Sequence, residues 1–163
     1  LPDDVMVAET PVLSQLIEVH KARGGCVLAL EEVPEADTAR YGIVVAESAG
    51  DGVFAIRDMV EKPGPERAPS RLAIMGRYIL SPGIFPLLSA QGTGAGGEIQ
   101  LTDGIRAIIG AEPVWGLLYR GRRFDCGTQV GWLDANISLA TEHPALREVV
   151  LEAVRRCGER NSI

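Results

Sequence analysis

The chain has 163 residues, of which 46% are hydrophobic and 23% charged, with only three Phe, three Tyr and two Trp. This is the composition of an aliphatic globular chain long enough to bury a core as a single domain over residues 1–163. A net charge of −6 argues against a general binder of nucleic acid or of a membrane surface, because both are polyanionic. A nucleotide remains compatible where a bound divalent cation supplies positive charge locally.

Cys26, Cys126 and Cys157 are odd in number and lack metal-ligand spacing, so they read as reduced thiols of a cytosolic protein. No apolar run approaches the ~18 residues of a membrane span, and no charged-then-apolar leader opens the chain.

In chain order, Leu1-Pro2-Asp3-Asp4 reads as the C-terminal end of a strand whose apolar body is missing, and no initiator Met precedes it; the expectation is a fragment. Val12, Leu13, Leu16, Ile17 and Val19 have helical spacing and predict a helix from Pro11 to Arg23, stopped by Gly24-Gly25. Cys26–Leu30 is a short strand. A helix between the Asp3 strand end and this strand predicts a βα(β) unit, hence parallel pairing with a right-handed crossover.

Pro34 to Arg40 is a polar loop, and Tyr41–Ala46 and Val53–Val60 are strands turned about Gly50-Asp51-Gly52. Arg71–Leu80 is a further strand, and Ser81-Pro82 starts a short helix running through Leu88. Gln91 to Gly97 is a Gly-rich loop, and Leu101–Ile109 is a helix for which Thr102 is a candidate N-cap. Pro113–Tyr119 and Arg122–Phe124 are strands flanking the turn Arg120-Gly121. Thr128 can cap a helix over Gln129–Thr141, and Pro144 opens a last amphipathic helix to about Arg156.

Chemistry concentrates at strand ends. Val60-Glu61-Lys62-Pro63 sets an acid beside a base where Pro63 ends the ladder, because Pro has no N–H to donate. Adjacent strand residues point to opposite faces. Glu61 and Lys62 can therefore serve one ligand only if the strand breaks between them; otherwise they are a solvated surface pair.

Asp3 and Asp125 both fall where strand meets loop, and two carboxylates converging at one sheet edge suit a hard, oxygen-loving cation such as Mg²⁺. The competing reading has Asp3 capping a turn and Asp125 paired with Arg122 or Arg123. Gly92-Thr93-Gly94-Ala95-Gly96-Gly97-Glu98 lacks the strand before it and the Lys-Ser/Thr after it that a phosphate-cradling loop requires; a surface connection or a subunit contact is the alternative. His20 and His143 have no nearby Ser or Cys partner in sequence, which argues against a nucleophilic triad. Cys126 reads as a packed small side chain.

Together these segments resemble the later half of a bacterial UTP–glucose-1-phosphate uridylyltransferase, a sugar-nucleotide pyrophosphorylase. The matching stretches, in the family's order, are Leu1-Pro2-Asp3-Asp4, Arg40-Tyr41-Gly42-Ile43-Val44, Val60-Glu61-Lys62-Pro63, Ala68-Pro69-Ser70, Gly76-Arg77-Tyr78-Ile79-Leu80-Ser81-Pro82, Gly94-Ala95-Gly96-Gly97-Glu98-Ile99-Gln100-Leu101-Thr102-Asp103 and Phe124-Asp125-Cys126-Gly127. Each is weak alone; seven in register, from residue 1 to about residue 150, are not.

The resemblance implies a three-layer α/β/α nucleotidyltransferase fold with a mixed, Rossmann-like sheet, present here without its N-terminal nucleotide-binding half. It implies that Asp3 and Asp125 hold Mg²⁺ and that Lys62 grips the phosphate of the sugar phosphate and is catalytic together with Asp125. It further implies that Glu61 accepts hydrogen bonds from glucose hydroxyls and that Gly42 lies where backbone approaches the sugar. The residue types agree: carboxylates suit hydroxyl donors, an ammonium suits phosphate, and Gly permits close approach.

The implied reaction joins UTP and glucose-1-phosphate into UDP-glucose and pyrophosphate, in a cytoplasmic homo-oligomer with no nucleic-acid or membrane partner. Gly92–Asp103 and the C-terminal helices are the candidate subunit contacts. The family's Gly-rich N-terminal signature and its base-reading residues are absent from the sequence, so the expectation is half an active site, inactive by itself. Two further readings stand beside it. One is a relative transferring a thymidylyl, adenylyl or guanylyl group; the other is a non-catalytic regulatory subunit, against which the intact Asp3, Glu61, Lys62 and Asp125 speak.

Overall fold

The computed structural model describes residues 3–91 and 99–160. Contacts divide the chain into two compact units, Ala8–Gly121 on one side and Leu1–Val7 with Arg122–Ile163 on the other.

In the Ala8–Gly121 unit, α1 (Val12–Arg23) starts after Pro11 and stops at Gly24. Gly24 and Gly25 have φ of 67° and 70°, the left-handed region that a side chain would disfavour. The chain turns there into β2 (Cys26–Glu32), followed by a short 3₁₀ helix at Glu35–Ala39 inside the stretch expected to be loop. Strands β3 (Gly42–Ser48) and β4 (Val53–Glu61) form the expected hairpin about Gly50-Asp51-Gly52, with Gly42 opposite Glu61.

Next come β5 (Leu72–Ile79), α2 (Ile84–Ala90), α3 (Leu101–Ile108) and β6 (Val114–Leu118). The strands close on themselves in the order β2-β5-β3-β4-β6. Pairing is antiparallel except between β6 and β2, which run parallel. Leu28, Leu30, Val44, Ile56, Met59 and Ile74 from the strands pack with Ile84, Ile105 and Ile108 from the helices. The α2–α3 pair thus buries its apolar side in the same core that fixes the strands, and α3 lies against β4.

In the other unit, β1 (Asp4–Val7) pairs antiparallel with β7 (Arg122–Asp125), Asp4 standing opposite Asp125. Helix α4 (Gln129–Glu142) packs on β7, and α5 (Arg147–Arg160) packs on α4. Thr128 caps α4 as expected, its hydroxyl accepting from the Gly131 N–H at 3.0 Å.

Two expectations need correction, and another lies outside the described residues: the strand expected to end at Asp3 falls on residues 1 and 2, and Asp3 itself lies in a turn just before β1. Strand β1 is apolar only at Val5, Met6 and Val7, too short a run to show a period. Among the described residues the predicted βα(β) pairing with β2 is not found: β1 pairs with β7, and the parallel neighbour of β2 is β6. The strands flanking Arg120-Gly121, β6 and β7, accordingly belong to different sheets. Nor is Thr102 the N-cap of α3; Gln100 holds that position, without a side-chain cap bond.

Candidate active site

The acid–base pair at the end of β4 sits where the strand breaks. Strand geometry persists through Glu61, and Lys62 then takes φ = 46°, a left-handed conformation that costs a non-Gly residue roughly 1–2 kcal/mol. The Lys62 N–H donates to Tyr41 O at 3.1 Å, holding the bend, and buried Pro63 follows. The alternation of faces is thereby broken, and Lys62 Nζ comes to 3.6 Å from Glu61 Oε1. The side chains remain 59% and 36% exposed respectively, so both heads are open to a ligand. Strain of this kind recurs at functional sites, and among the described non-glycine residues it is shared by Asp51 in the β3–β4 turn.

Gly42 supplies the floor. A Cβ there would lie 3.2 Å from Glu61 Oε2 and 3.3 Å from Ile74 Cδ1, so a larger residue would crowd the carboxylate. Two residues of α3 complete the arrangement. Thr102 Oγ1 donates to Glu61 Oε2 at 2.8 Å. One helical turn on, Arg106 donates to both oxygens of Asp58, at 2.6 and 3.0 Å. The Arg106 guanidinium, and next the Met59 N–H, hold the Asp58 carboxyl below its usual range. Helix α3 is thus tied to β4 by a polar ladder as well as by its apolar face.

The other pair of predicted residues meets on the β1–β7 ribbon. The Cys126 N–H donates to Asp3 O at 2.8 Å, and the Gly127 N–H donates to Asp125 Oδ1 at 3.2 Å. A Cβ on Gly127 would fall 2.7 Å from Asp3 Oδ2 and 3.2 Å from Asp125 Oδ1, so both carboxylates reach the space that the glycine leaves free. An all-oxygen donor set of this kind suits a hard divalent cation, which completes its shell with phosphate and water. No group of three or more His, Cys, Asp or Glu with metal-binding geometry occurs among the described residues.

The arginines proposed as partners of Asp125 are engaged with other carboxylates: Arg122 with Glu142 at 2.6 Å and Arg123 with Asp4 at 2.5 Å.

His20 Nδ1 lies 2.8 Å from Gly25 O, and His143 Nδ1 accepts from the Ala145 N–H at 3.3 Å, so both imidazoles serve local backbone. Cys26, Cys126 and Cys157 are free thiols, and burial pushes the Cys26 thiol up. The Gly-rich segment at 92–98 lies outside the described residues.

The sequence pattern of the nucleotidyl transferase family matches residues 1–142. The chain belongs to that family.

Among relatives of this nucleotidyltransferase chain, the UTP–glucose-1-phosphate uridylyltransferase YngB of Bacillus subtilis is 41% identical over 151 residues, covering 93% of the chain and 51% of the relative. UTP–glucose-1-phosphate uridylyltransferase 2 of Staphylococcus saprophyticus is 39% identical over 156 residues, covering 96% and 54%. A UDP-glucose pyrophosphorylase solved in complex with UDP-glucose superposes with a TM-score of 0.83 at 36% identity, covering 88% of the chain and 55% of that structure. The mixed α/β nucleotidyltransferase fold expected from the sequence is therefore the fold observed. The chain spans about half the length of the curated relatives it matches.

Thr102 is the residue of this site that sequence reading placed wrongly. Its partner Glu61 is 41 positions away, and a threonine at a helix start signals capping before it signals a tertiary hydrogen bond.

Proposed function

We propose that the chain supplies the sugar-phosphate-binding and metal-binding parts of one nucleotidyltransferase domain that makes UDP-glucose and pyrophosphate from UTP and glucose-1-phosphate. The observation that carries this reading is the left-handed Lys62. It turns an ammonium and a carboxylate toward one ligand, beside the glycine floor at Gly42, with phosphate-binding and hydroxyl-accepting chemistry 3.6 Å apart. The uridylyltransferase relatives support the choice of nucleotide and sugar.

In this reading a phosphate oxygen of glucose-1-phosphate attacks the α-phosphorus of UTP in line. The new P–O bond forms as the bond from the α-phosphorus to the bridging oxygen breaks, and pyrophosphate leaves with that electron pair. Lys62 is the catalytic residue on the sugar side: its ammonium holds the attacking phosphate and offsets its charge. Glu61 accepts hydrogen bonds from sugar hydroxyls and so fixes the direction of attack, while Gly42 lets the ring approach the backbone. Asp3 and Asp125 hold Mg²⁺, with Asp125 indispensable to turnover; the bound cation supplies charge neutralisation at phosphate oxygens. No covalent bond to the protein is needed.

The same reading makes the protein a cytoplasmic homo-oligomer. Its free thiols support the compartment, and exposed Val130, Leu133 and Ile137 on α4 support self-association. No described helix is long and apolar enough to cross a membrane.

The test is pyrophosphate release by the intact protein with each nucleoside triphosphate and glucose-1-phosphate. UTP is expected to be preferred; a preference for dTTP, ATP or GTP, or no release with any of them, overturns the assignment.

A further inference from the structure

Glu61 is an unusual hydroxyl acceptor because both of its oxygens already have a neighbour. Oε2 takes the Thr102 hydroxyl at 2.8 Å, and Oε1 faces Lys62 Nζ at 3.6 Å. A carboxylate offers about four in-plane acceptor directions. The Thr102 hydrogen bond from α3 holds one oxygen and so restrains the plane of the carboxylate, and with it the directions left for a ligand. A glutamate held only by its own stem turns about its last torsion, which has a broad, roughly two-fold profile. Such a carboxylate would follow whichever hydroxyl geometry arrived.

The anchor itself is rigid. Thr102 stands one helical turn before Arg106, whose two bonds to Asp58 clamp the same helix to the same strand, and Gly104, Ile105 and Ile108 seat the buried side of α3 in the core. Space beside the anchor is scarce too, because the position a Gly42 Cβ would take is 3.8 Å from Thr102 Cγ2 as well as 3.2 Å from Glu61 Oε2.

We propose that Thr102 is a specificity-determining positioning residue: its hydroxyl aims the Glu61 carboxylate so that hexose 1-phosphates are discriminated by the orientation of their ring hydroxyls. The proposal rests on the sugar-phosphate reading of Glu61 and Lys62. Lys62 binds a phosphate common to all such substrates, so it cannot tell epimers apart. Discrimination falls to the acceptor, and the acceptor is only as selective as its orientation is fixed.

The experiment compares glucose-1-phosphate with its C4 epimer galactose-1-phosphate in the intact protein, for Thr102→Val, Thr102→Ser and Glu61→Gln. Valine keeps the shape of threonine and removes the donor, whereas serine keeps the donor. Thr102→Val is expected to reduce the ratio of kcat/KM values for the two sugars by about 10-fold, the scale of one hydrogen bond to a charged acceptor, with KM for UTP unchanged. Thr102→Ser is expected to restore the ratio. A purely structural role would lower the kcat/KM values for both sugars together and leave their ratio fixed.

If Glu61→Gln alters the ratio while Thr102→Val does not, the positioning role is overturned and the sugar-binding role of Glu61 stands. If neither variant alters it, the reading of Glu61 fails and takes the proposal with it. If Thr102→Ser behaves as Thr102→Val does, the hydroxyl is not the cause and the proposal also fails.

Discussion

Arg123 Nε donates to Asp4 Oδ1 at 2.5 Å across the β1–β7 ribbon, with only 11% and 4% of the two side chains accessible. Asp4 stands opposite Asp125 and Met6 opposite Arg123, so the pair is a diagonal contact on one face of the ribbon. Slipping the register by one residue would carry the two groups to opposite faces. Each strand has only four residues, and a two-stranded ribbon is marginal without further packing. Asp4→Asn or Arg123→Met should therefore lower stability by about 3–5 kcal/mol, since each removes one partner of a buried ion pair. The double variant Asp4→Leu with Arg123→Met should recover most of that loss. Urea unfolding of the four proteins measures it, and a double variant as unstable as the two single losses added together would refute the broken-pair account.

Asp58 and Arg106 give a pH-dependent counterpart on α3. The Asp58 carboxyl is held below its usual range by Arg106 and the Met59 N–H. The stability it contributes is thus fully present above the ordinary carboxylate range and is lost as pH falls through the depressed value. Both groups are more than a third exposed, which limits the pair to about 1 kcal/mol or less. Arg106→Gln should shift the urea midpoint most near neutral pH and progressively less under acid conditions. A difference that stays constant with pH would assign the effect to packing instead.

What could be read in advance depended on how far apart the interacting residues lie. The bend at Lys62 is a local event, signalled by Pro63 one residue on, and the Thr128 cap is likewise local, its donor Gly131 three residues away. Both appear as expected. The pairing of β1 with β7 joins residues more than a hundred positions apart, and β1 is too short for its alternation to be recognised. Charges at the ribbon were readable but their partners were not. Arg123 was as plausible a partner for the Asp125 next to it but one as for the distant Asp4, and only the fold shows it bonded to Asp4 at a buried position. Thr102 shows the same limit, its partner Glu61 lying 41 positions away.

Asp125→Asn tests the carboxylate pair. The substitution preserves shape and the acceptor for the Gly127 N–H while removing one charge from the space shared with Asp3. Asp125 is only half-buried, so unfolding should change little. Mn²⁺ binding by the protein, followed by electron paramagnetic resonance, should weaken by at least about 10-fold, and turnover at limiting Mg²⁺ should be largely lost. Parental Mn²⁺ affinity in the variant would remove Asp125 from the metal site.

Lys62 separates function from folding most sharply, because its backbone and its ammonium make opposite predictions. Lys62→Ala removes the ammonium but keeps a Cβ at φ = 46°, so the strain stays. A hydrogen bond to a charged group contributes roughly 1.5–3 kcal/mol, and kcat/KM for glucose-1-phosphate should fall by about 10- to 150-fold, while KM for UTP changes little. If the ammonium also offsets charge developing at the α-phosphate, kcat falls as KM rises. Lys62→Arg should rescue only in part, because a planar fork does not sit where a compact ammonium did. Lys62→Gly should lose the same activity as Lys62→Ala yet be more stable than the parent by up to about 1 kcal/mol, since glycine takes a left-handed φ without penalty. A side chain kept for stability would show the reverse, with both truncations less stable and activity intact. Steady-state kinetics with each substrate varied in turn, set beside urea midpoints for the same variants, decides between them. No loss for either UTP or glucose-1-phosphate would return Glu61 and Lys62 to a solvated surface pair.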